Sequence, residues 1–436
     1  MAVRAPAGRG PSPLIPLGYF ACAAAAFVAG ALGTVWLAPE LTGHYYHPHV
    51  VALTHTITLG WITMAIMGAT YQMVPVVLER PIWSERIARW QLGIVAVAVI
   101  GMVAHFYLGT WPGLAGAAVM LGAGIGLYLV NLAVTLVGRG RDGSSLRLFT
   151  PWTPTARLMA MAFVGLALTT LFGLSLAANH LVRFLPGELF PTLHAHVHLA
   201  LLGWVTPMML GVSARVYPMF LLAPAPGPGT TRLQTWAVAL GVPALVAGLL
   251  GVPGLTLLGT LAVAAAALVH GAWVAGMVRA RKRPHLDWGL RFTITATAFL
   301  APAVVLGVAI AAGALAGPPV ALAYAVVVLG GWISLTIVGM MLRIVPFLVW
   351  YRVYGPRAGR EPVPTLAELS SSRLEGASYV LLTGGIALLA AALLAGDATW
   401  IRVAGAALSL GAVAFAATLL RVGRHLFAAA PPKAAP

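Results

Sequence analysis

The sequence predicts an all-α membrane protein in which about twelve helices cross the bilayer. Hydrophobic residues make up 60% of the 436-residue chain, charged residues make up only 8%, and the mean hydropathy is +0.92. These values lie far outside the range of soluble domains. Apolar runs long enough to cross about 30 Å of hydrocarbon recur along the whole length. We therefore treat residues 1–436 as a single membrane domain.

Each apolar run predicts one spanning helix, and short polar or glycine- and proline-rich segments separate the runs. The single cysteine, Cys22, falls in the first run, which excludes a disulfide, a cysteine-rich metal site and covalent haem attachment. The predicted helices cover residues 14–37, 49–78, 89–110, 113–137, 155–178, 190–222, 233–254, 256–279, 288–313, 318–350, 374–395 and 399–427.

The basic residues indicate the orientation of the chain. If the N-terminus is cytoplasmic, 24 of the 26 Lys and Arg residues fall in cytoplasmic segments, and the two exceptions are Arg183 and Arg402. This is the positive-inside distribution, and it predicts a multi-pass protein of a bacterial-type inner membrane with both termini in the cytoplasm. The net charge of +16 is confined to these segments and forms no basic face with interleaved aromatic residues. We therefore exclude nucleic acid as a partner and expect the lipid bilayer to surround the chain.

One pattern occurs three times and predicts an internal repeat. In each copy a Gly-Trp pair is followed by Gly seven residues after the Trp and by Pro fourteen residues after it. Composition alone predicts roughly 0.01 such matches per chain. The copies mark every fourth helix, so we expect three four-helix arcs around a pseudo-threefold axis, centred on the helices at 49–78, 190–222 and 318–350. We expect the glycines to allow close helix packing. The copies begin at Gly60-Trp61, Gly203-Trp204 and Gly331-Trp332.

Histidine supplies the candidate chemistry. Nine of the twelve histidines fall on the outer side of this topology, and several of them lie at one depth in the second, third and sixth helices. Such convergence predicts a metal or haem site, because neutral imidazole ligates both haem iron and copper. His196 and His198 point to different sides of their helix, so one helix can serve two sites. The candidate ligands are His55, His105, His194, His196 and His198.

These residues carry a family resemblance. The stretch from His196-Val197-His198 to Gly203-Trp204 resembles helix 10 of the catalytic subunit (subunit I) of haem-copper oxidases, especially the cytochrome-cbb branch, whose two histidines each ligate a haem. His55-Thr56, with residues 67–75, is similar to helix 2 of the related nitric oxide reductases, whose histidine ligates the low-spin haem. The resemblance implies one or two haem b groups held by His55, His196 and His198, with copper or non-haem iron as a second metal.

The sequence also departs from that family. The His-x-His pair lies on the sixth helix and not the tenth, where Tyr324 and Val326 stand instead. Two arrangements therefore stay open. Either His55 and His198, at equivalent positions of two repeats, share a haem, or His196 holds a haem while His55 and His105 approach a second metal. Arg183, near these histidines in sequence, is expected to pair with a haem propionate.

The resemblance implies electron transfer in a respiratory chain and the reduction of oxygen or nitric oxide near the outer face. It also implies cytochrome c or a quinol as electron donor, and a homo- or hetero-oligomer. Three other interpretations compete: a non-catalytic haem or copper protein of the nitric-oxide-response type, a repeat-built transporter without haem, and a structural assembly partner. Whether the chain is an oxidoreductase stays open. All ten acidic residues fall in or beside predicted loops, which predicts that the chain does not pump protons.

Overall fold

The computed structural model describes residues 12–78, 81–137, 153–185 and 187–428. Within these ranges the chain is helical, and its only β-type pairing is an isolated bridge between Ala358 and Glu361. Twelve helices are long and apolar enough to cross a membrane, which confirms the predicted class and marks a multi-pass membrane protein. They are α1 (Leu14–Trp36), α2 (Pro48–Pro75), α3 (Glu85–Leu108), α4 (Trp111–Thr135), α5 (Pro154–Val182), α6 (Leu189–Leu221), α7 (Pro228–Leu249), α8 (Leu255–Ala280), α9 (Trp288–Ala311), α10 (Pro318–Val353), α11 (Ser372–Ala395) and α12 (Ala398–Phe427).

The helix boundaries differ from the predicted ones where local capping decides them. The third helix begins at Glu85, four residues before the predicted start, because the Ser84 side chain accepts a 3.2 Å hydrogen bond from the Ile87 amide. The seventh begins at Pro228, whose missing N–H costs nothing in the first turn of a helix. A serine cap and a proline in the first turn thus extend these two helices beyond the ends of their apolar runs.

The helices pack in chain order, and α12 packs against α1, so neighbouring helices form a closed ring. The three helices that carry the repeat, α2, α6 and α10, are the most buried of the twelve. Across the interior, the Trp61 indole of α2 donates a 2.9 Å hydrogen bond to the Ser334 hydroxyl of α10. The division of this ring into three arcs stays a prediction.

The six glycines of the repeat confirm the packing role predicted for them. In every copy, both glycines face the helix that precedes the marked one, and a methyl group added at any of them would meet that neighbour within 3.5 Å. The closest approach is between α5 and α6, where a side chain on Gly165 would meet the Gly203 backbone. The glycines and their neighbours are Gly60 and Gly68 against α1, Gly203 and Gly211 against α5, and Gly331 and Gly339 against α9.

A second common feature of the repeats was not predicted. Each marked helix widens into a π-helical segment around its Gly-Trp pair, at Thr56–Thr63, Leu199–Val205 and Val326–Ser334. In the second copy the Thr206 hydroxyl donates a 2.8 Å hydrogen bond to the carbonyl five residues back, and in the third copy Ser334 does the same at 2.7 Å. These bonds occupy carbonyl oxygens within the wide turns. Segments of this kind often lie at functional sites.

Candidate functional site

Most of the histidines lie at one end of the helix bundle. The connections α1–α2, α3–α4 and α5–α6 are at this end, and nine of the twelve histidines lie on or near it. We call it the histidine-rich end, and the opposite end, which holds the Arg279–Arg283 segment, the arginine-rich end. Two of the π-helical segments begin directly after His55 and His198. The wide π-helical turns therefore lie next to two of the candidate ligands in the chain.

Three of the histidines share one hydrogen-bonding arrangement. The Nδ1 atom of His55 lies 2.8 Å from the Val51 carbonyl oxygen, and that of His198 lies 2.8 Å from the His194 carbonyl oxygen. The Nδ1 atom of His196 reaches across to α5, 3.1 Å from the Thr169 carbonyl oxygen. A carbonyl oxygen can only accept, so Nδ1 carries the proton in all three rings and Nε2 keeps its lone pair. This tautomer is the one that ligates iron or copper through Nε2.

His55 of α2 and His196 of α6 lie at the same end of the bundle, and each ring contacts a helix other than its own. His55 stacks on Phe106 of α3, with ring centroids 4.9 Å apart, and His196 bonds the Thr169 carbonyl oxygen of α5. The Nδ1 atom of His198 bonds the His194 carbonyl oxygen one turn earlier. Whether His55 shares a haem with His198 or with His196 stays a prediction.

His196 occupies a packing position that recurs in all three repeats. Eight residues before the repeat tryptophan, its ring packs on Gly173 of α5, where an added methyl carbon would lie 3.0 Å from the ring. The corresponding residue in the other copies packs in the same way on a glycine of the preceding helix, namely Leu53 on Gly33 and Tyr324 on Gly307. The fold thus holds a side chain firmly at this position, and the second repeat places an imidazole there.

His194 and His105 are engaged differently. The His194 Nε2 atom lies 3.0 Å from the Tyr45 hydroxyl. Burial raises the pKa of Tyr45, so this hydroxyl stays protonated and bonds the ring as a neutral phenol. The His105 Nδ1 atom bonds the Thr110 hydroxyl at 2.7 Å, and its ring lies against Gly113. Each of these two histidines thus has one ring nitrogen hydrogen-bonded to a hydroxyl group of the protein.

Arg183 lies at the same end of the bundle. It caps the C-terminus of α5 with a left-handed backbone (φ 45°) and lines an open cleft of about 450 Å³ with Trp111, Asn179 and His180. The His180 ring stacks flat on Trp111 at 4.2 Å. The guanidinium makes no ion pair with any residue of the described chain. A negatively charged group entering this cleft would meet a cation.

The structure does not assemble the five predicted metal ligands into one group. Among the described residues, no three His, Cys, Asp or Glu side chains lie close enough together to hold one metal ion. His194 and His198 adjoin along α6, where the His198 Nδ1 atom bonds the His194 carbonyl oxygen. His105 is bonded to Thr110 in its own segment. A second metal, copper or non-haem iron, stays a prediction.

Several residues that shape this site were not identified from the sequence. Phe106 covers His55, the Thr169 carbonyl orients His196, and Tyr45 bonds His194. None of them belongs to the repeat, and only the fold brings them to the histidines. The sequence does mark one further position of the repeat. A hydroxyl residue stands two positions after the tryptophan in every copy, as Thr63, Thr206 and Ser334.

One segment of the chain is similar to a subunit of a known oxidase. No protein-family model matches the chain. A segment of 83 residues is 29% identical to quinol oxidase subunit 1 of Sulfolobus acidocaldarius, which covers 17% of this chain and 16% of that protein. The matched segment is thus about one sixth of the relative's length. Together with the twelve apolar helices, this similarity fits a membrane protein of the haem-copper oxidase type.

Proposed function

We propose that this chain is a divergent haem protein related to the catalytic subunit of haem-copper oxidases. In this proposal His55 of α2 and His196 of α6 would hold one haem b at the histidine-rich end. His198 points to another side of α6 and would hold a second haem. The observation that carries the proposal is the common tautomer of these three rings, each with Nδ1–H on a backbone carbonyl and Nε2 left for a metal.

The donor set fits haem b and its surroundings. Two neutral imidazoles are the usual axial ligands of a low-spin haem, and the one cysteine, Cys22, lies in the apolar helix α1. Phe106 supplies an aromatic wall beside His55. Arg183, in the cleft at the same end, is placed to pair with a propionate. When bound, the haem would supply one-electron chemistry.

The protein's own residues would orient the ligands and exclude water. Hydrogen bonds to backbone carbonyls fix the tautomer of each imidazole and raise its basicity toward iron. Gly173 leaves room for the His196 ring. Trp61 and Trp204, which lie six residues beyond His55 and His198, are buried. Such a site would bind haem firmly in a setting of low polarity.

We further propose that the protein transfers electrons in the inner membrane of a bacterial-type cell and reduces oxygen or nitric oxide. Its electron donor would be cytochrome c or a quinol, and it would work as part of a homo- or hetero-oligomer. The similarity to a quinol oxidase subunit supports this class of chemistry. A haem protein without turnover, of the nitric-oxide-response type, and a haem-free transporter are the alternatives that the following test separates.

Visible spectroscopy of variants tests this proposal. His55→Ala and His196→Ala should each abolish the low-spin haem signal in a reduced-minus-oxidised spectrum, because each removes one axial ligand. His198→Ala should remove a second haem and leave the first. The matched control is His425→Ala, since that histidine lies on α12 at the arginine-rich end, bonded to Tyr354 at 2.7 Å.

The outcomes separate the interpretations. Spectra unchanged in both His55→Ala and His196→Ala would remove this pair from the site. A pigment lost in the control as well would mean that misfolding explains the loss. A wild-type protein that is coloured but inert toward oxygen and nitric oxide would support the non-catalytic alternative, and a colourless one would support the transporter.

A further inference from the structure

A second cluster of aromatic and polar side chains lies in the other half of the bundle. His270 and Trp273 are three residues apart on α8 and so share one face of it, toward Tyr217 of α6. The ring centroids lie 5.4 Å apart for His270 and Trp273, 6.2 Å for His270 and Tyr217, and 6.3 Å for Tyr217 and Trp273. The Tyr217 and Trp273 planes are nearly parallel, at 8°. The three rings therefore form one aromatic cluster between α6 and α8.

Two buried nitrogens of this cluster have no hydrogen-bond partner among the described residues. They are the Nδ1 atom of His270 and the Nε1 atom of Trp273. His270 is only 2% exposed. An unpaired polar atom in a membrane interior is costly, and native structures nearly always pair such groups. Two of them on the same helical face indicate a partner that bonds both.

The surroundings define what that partner is. The rings join an apolar cluster of Leu221, Val274, Met277 and Leu290. The cation beside this cluster among the described residues, Arg343 over the Phe220 ring, is paired with Asp287, so a neutral ligand suits the cluster. Trp273 is partly exposed on the outer surface of the bundle, which opens the cluster to the acyl region of the bilayer. His270 and Trp273 precede the end of α8 by ten and seven residues, about 15 and 10 Å along the axis. The ligand is therefore a neutral, flat, lipid-soluble molecule with hydrogen-bonding oxygens.

We propose that His270, Trp273 and Tyr217 bind the ring of a membrane quinone or quinol. The Trp273 N–H would donate to a ring oxygen in either redox form. The His270 Nδ1 atom would donate to a quinone carbonyl or accept from a quinol hydroxyl, according to its tautomer. Binding itself is independent of haem. Only the role of this ligand as electron donor rests on the proposed function.

The test measures binding of ubiquinone-1 to the purified full-length protein in phosphatidylcholine nanodiscs, after subtraction of its partition into empty nanodiscs. The wild type should show one saturable site. Trp273→Phe, which keeps an aromatic ring and removes only the N–H, and His270→Leu should each weaken the Kd about tenfold, as expected for the loss of one buried hydrogen bond. The matched controls are His425→Leu and Trp90→Phe, and their Kd should equal that of the wild type.

Two results would overturn the proposal. One is no saturable binding by the wild type. The other is an equal Kd in wild type, Trp273→Phe and His270→Leu, which would mean that a water molecule bridges the two nitrogens and the quinone binds elsewhere. The haem spectrum of Trp273→Phe should match the wild type. A colourless wild type that still binds ubiquinone-1 through Trp273 would therefore refute the haem proposal and keep this one.

Discussion

The close approach of α5 and α6 makes Gly165→Ala a sharp test of the packing. A Cβ atom at position 165 would lie 2.9 Å from the Gly203 Cα atom and nearer still to the Gly203 carbonyl. Nonbonded carbon atoms prefer a separation of about 3.5–4.0 Å. The two helices would therefore have to move apart by roughly 1 Å just where α6 widens after His198.

The energetic cost follows from that displacement. A gap of this size removes a quarter to a half of the dispersion energy of the contacts across the interface, and overpacking in well-packed interiors typically costs about 1–3 kcal/mol. We expect Gly165→Ala to lose about 3 kcal/mol of unfolding free energy, although alanine favours helix by about 1 kcal/mol. The matched control is Gly116→Ala on α4, where an added methyl group meets nothing within 4 Å.

The assay is reversible unfolding of both variants in mixed detergent micelles, followed by circular dichroism. Gly116→Ala should equal the wild type or exceed it by up to about 1 kcal/mol. The reasoning fails if Gly165→Ala is as stable as Gly116→Ala, because the α5 and α6 backbones could not then meet at this point. A loss in both variants would point to a general sensitivity of glycines in the bundle.

Three further predictions concern a hydrogen bond in the interior, the orientation of the chain in the membrane and proton pumping. Ser334→Ala removes the acceptor of the Trp61 indole and the donor to the Leu329 carbonyl, so it should lower the unfolding free energy by about 1–3 kcal/mol. The control Ser175→Ala, at an exposed serine of α5, should stay within about 0.5 kcal/mol of the wild type in the same unfolding assay. Reporter fusions in the 138–153, 280–287 and 351–373 loops should all score cytoplasmic, and outward scores at two of them would reverse the orientation. Liposomes that contain the protein and an electron donor should show no net acidification outside, and uncoupler-sensitive proton ejection during oxygen consumption would contradict this.

The class and helix order could be predicted from the sequence because hydropathy alone marks membrane-spanning helices. The packing role of the repeat glycines could be predicted too, since residues without a side chain are the ones that let helices touch, as Gly203 does against Gly165. The acidic residues of the described chain lie in loops, at helix caps or in the first turns of helices, as the ends of the apolar runs predict.

The details of the candidate site could not be predicted, because they depend on tertiary contacts. The π-helical segments widen α2, α6 and α10 around the Gly-Trp pair of each repeat, and a hydrophobic pattern does not distinguish a π-helical turn from an α-helical one. Phe106, which stacks on His55, and the Thr169 carbonyl, which bonds His196, come from other helices, and equivalent repeat positions do not specify them. The His270 cluster combines α6 with α8, two helices that sequence periodicity does not relate to each other.

The most direct test of the central claim is the haem content of the purified wild-type protein, measured as the pyridine haemochrome. Three imidazoles at the histidine-rich end keep Nε2 for a metal. The account predicts one or two haem b groups per chain, with a reduced-minus-oxidised spectrum of low-spin, bis-imidazole character. A correctly inserted, monodisperse protein that contains no haem after expression with ample haem supply would contradict the account.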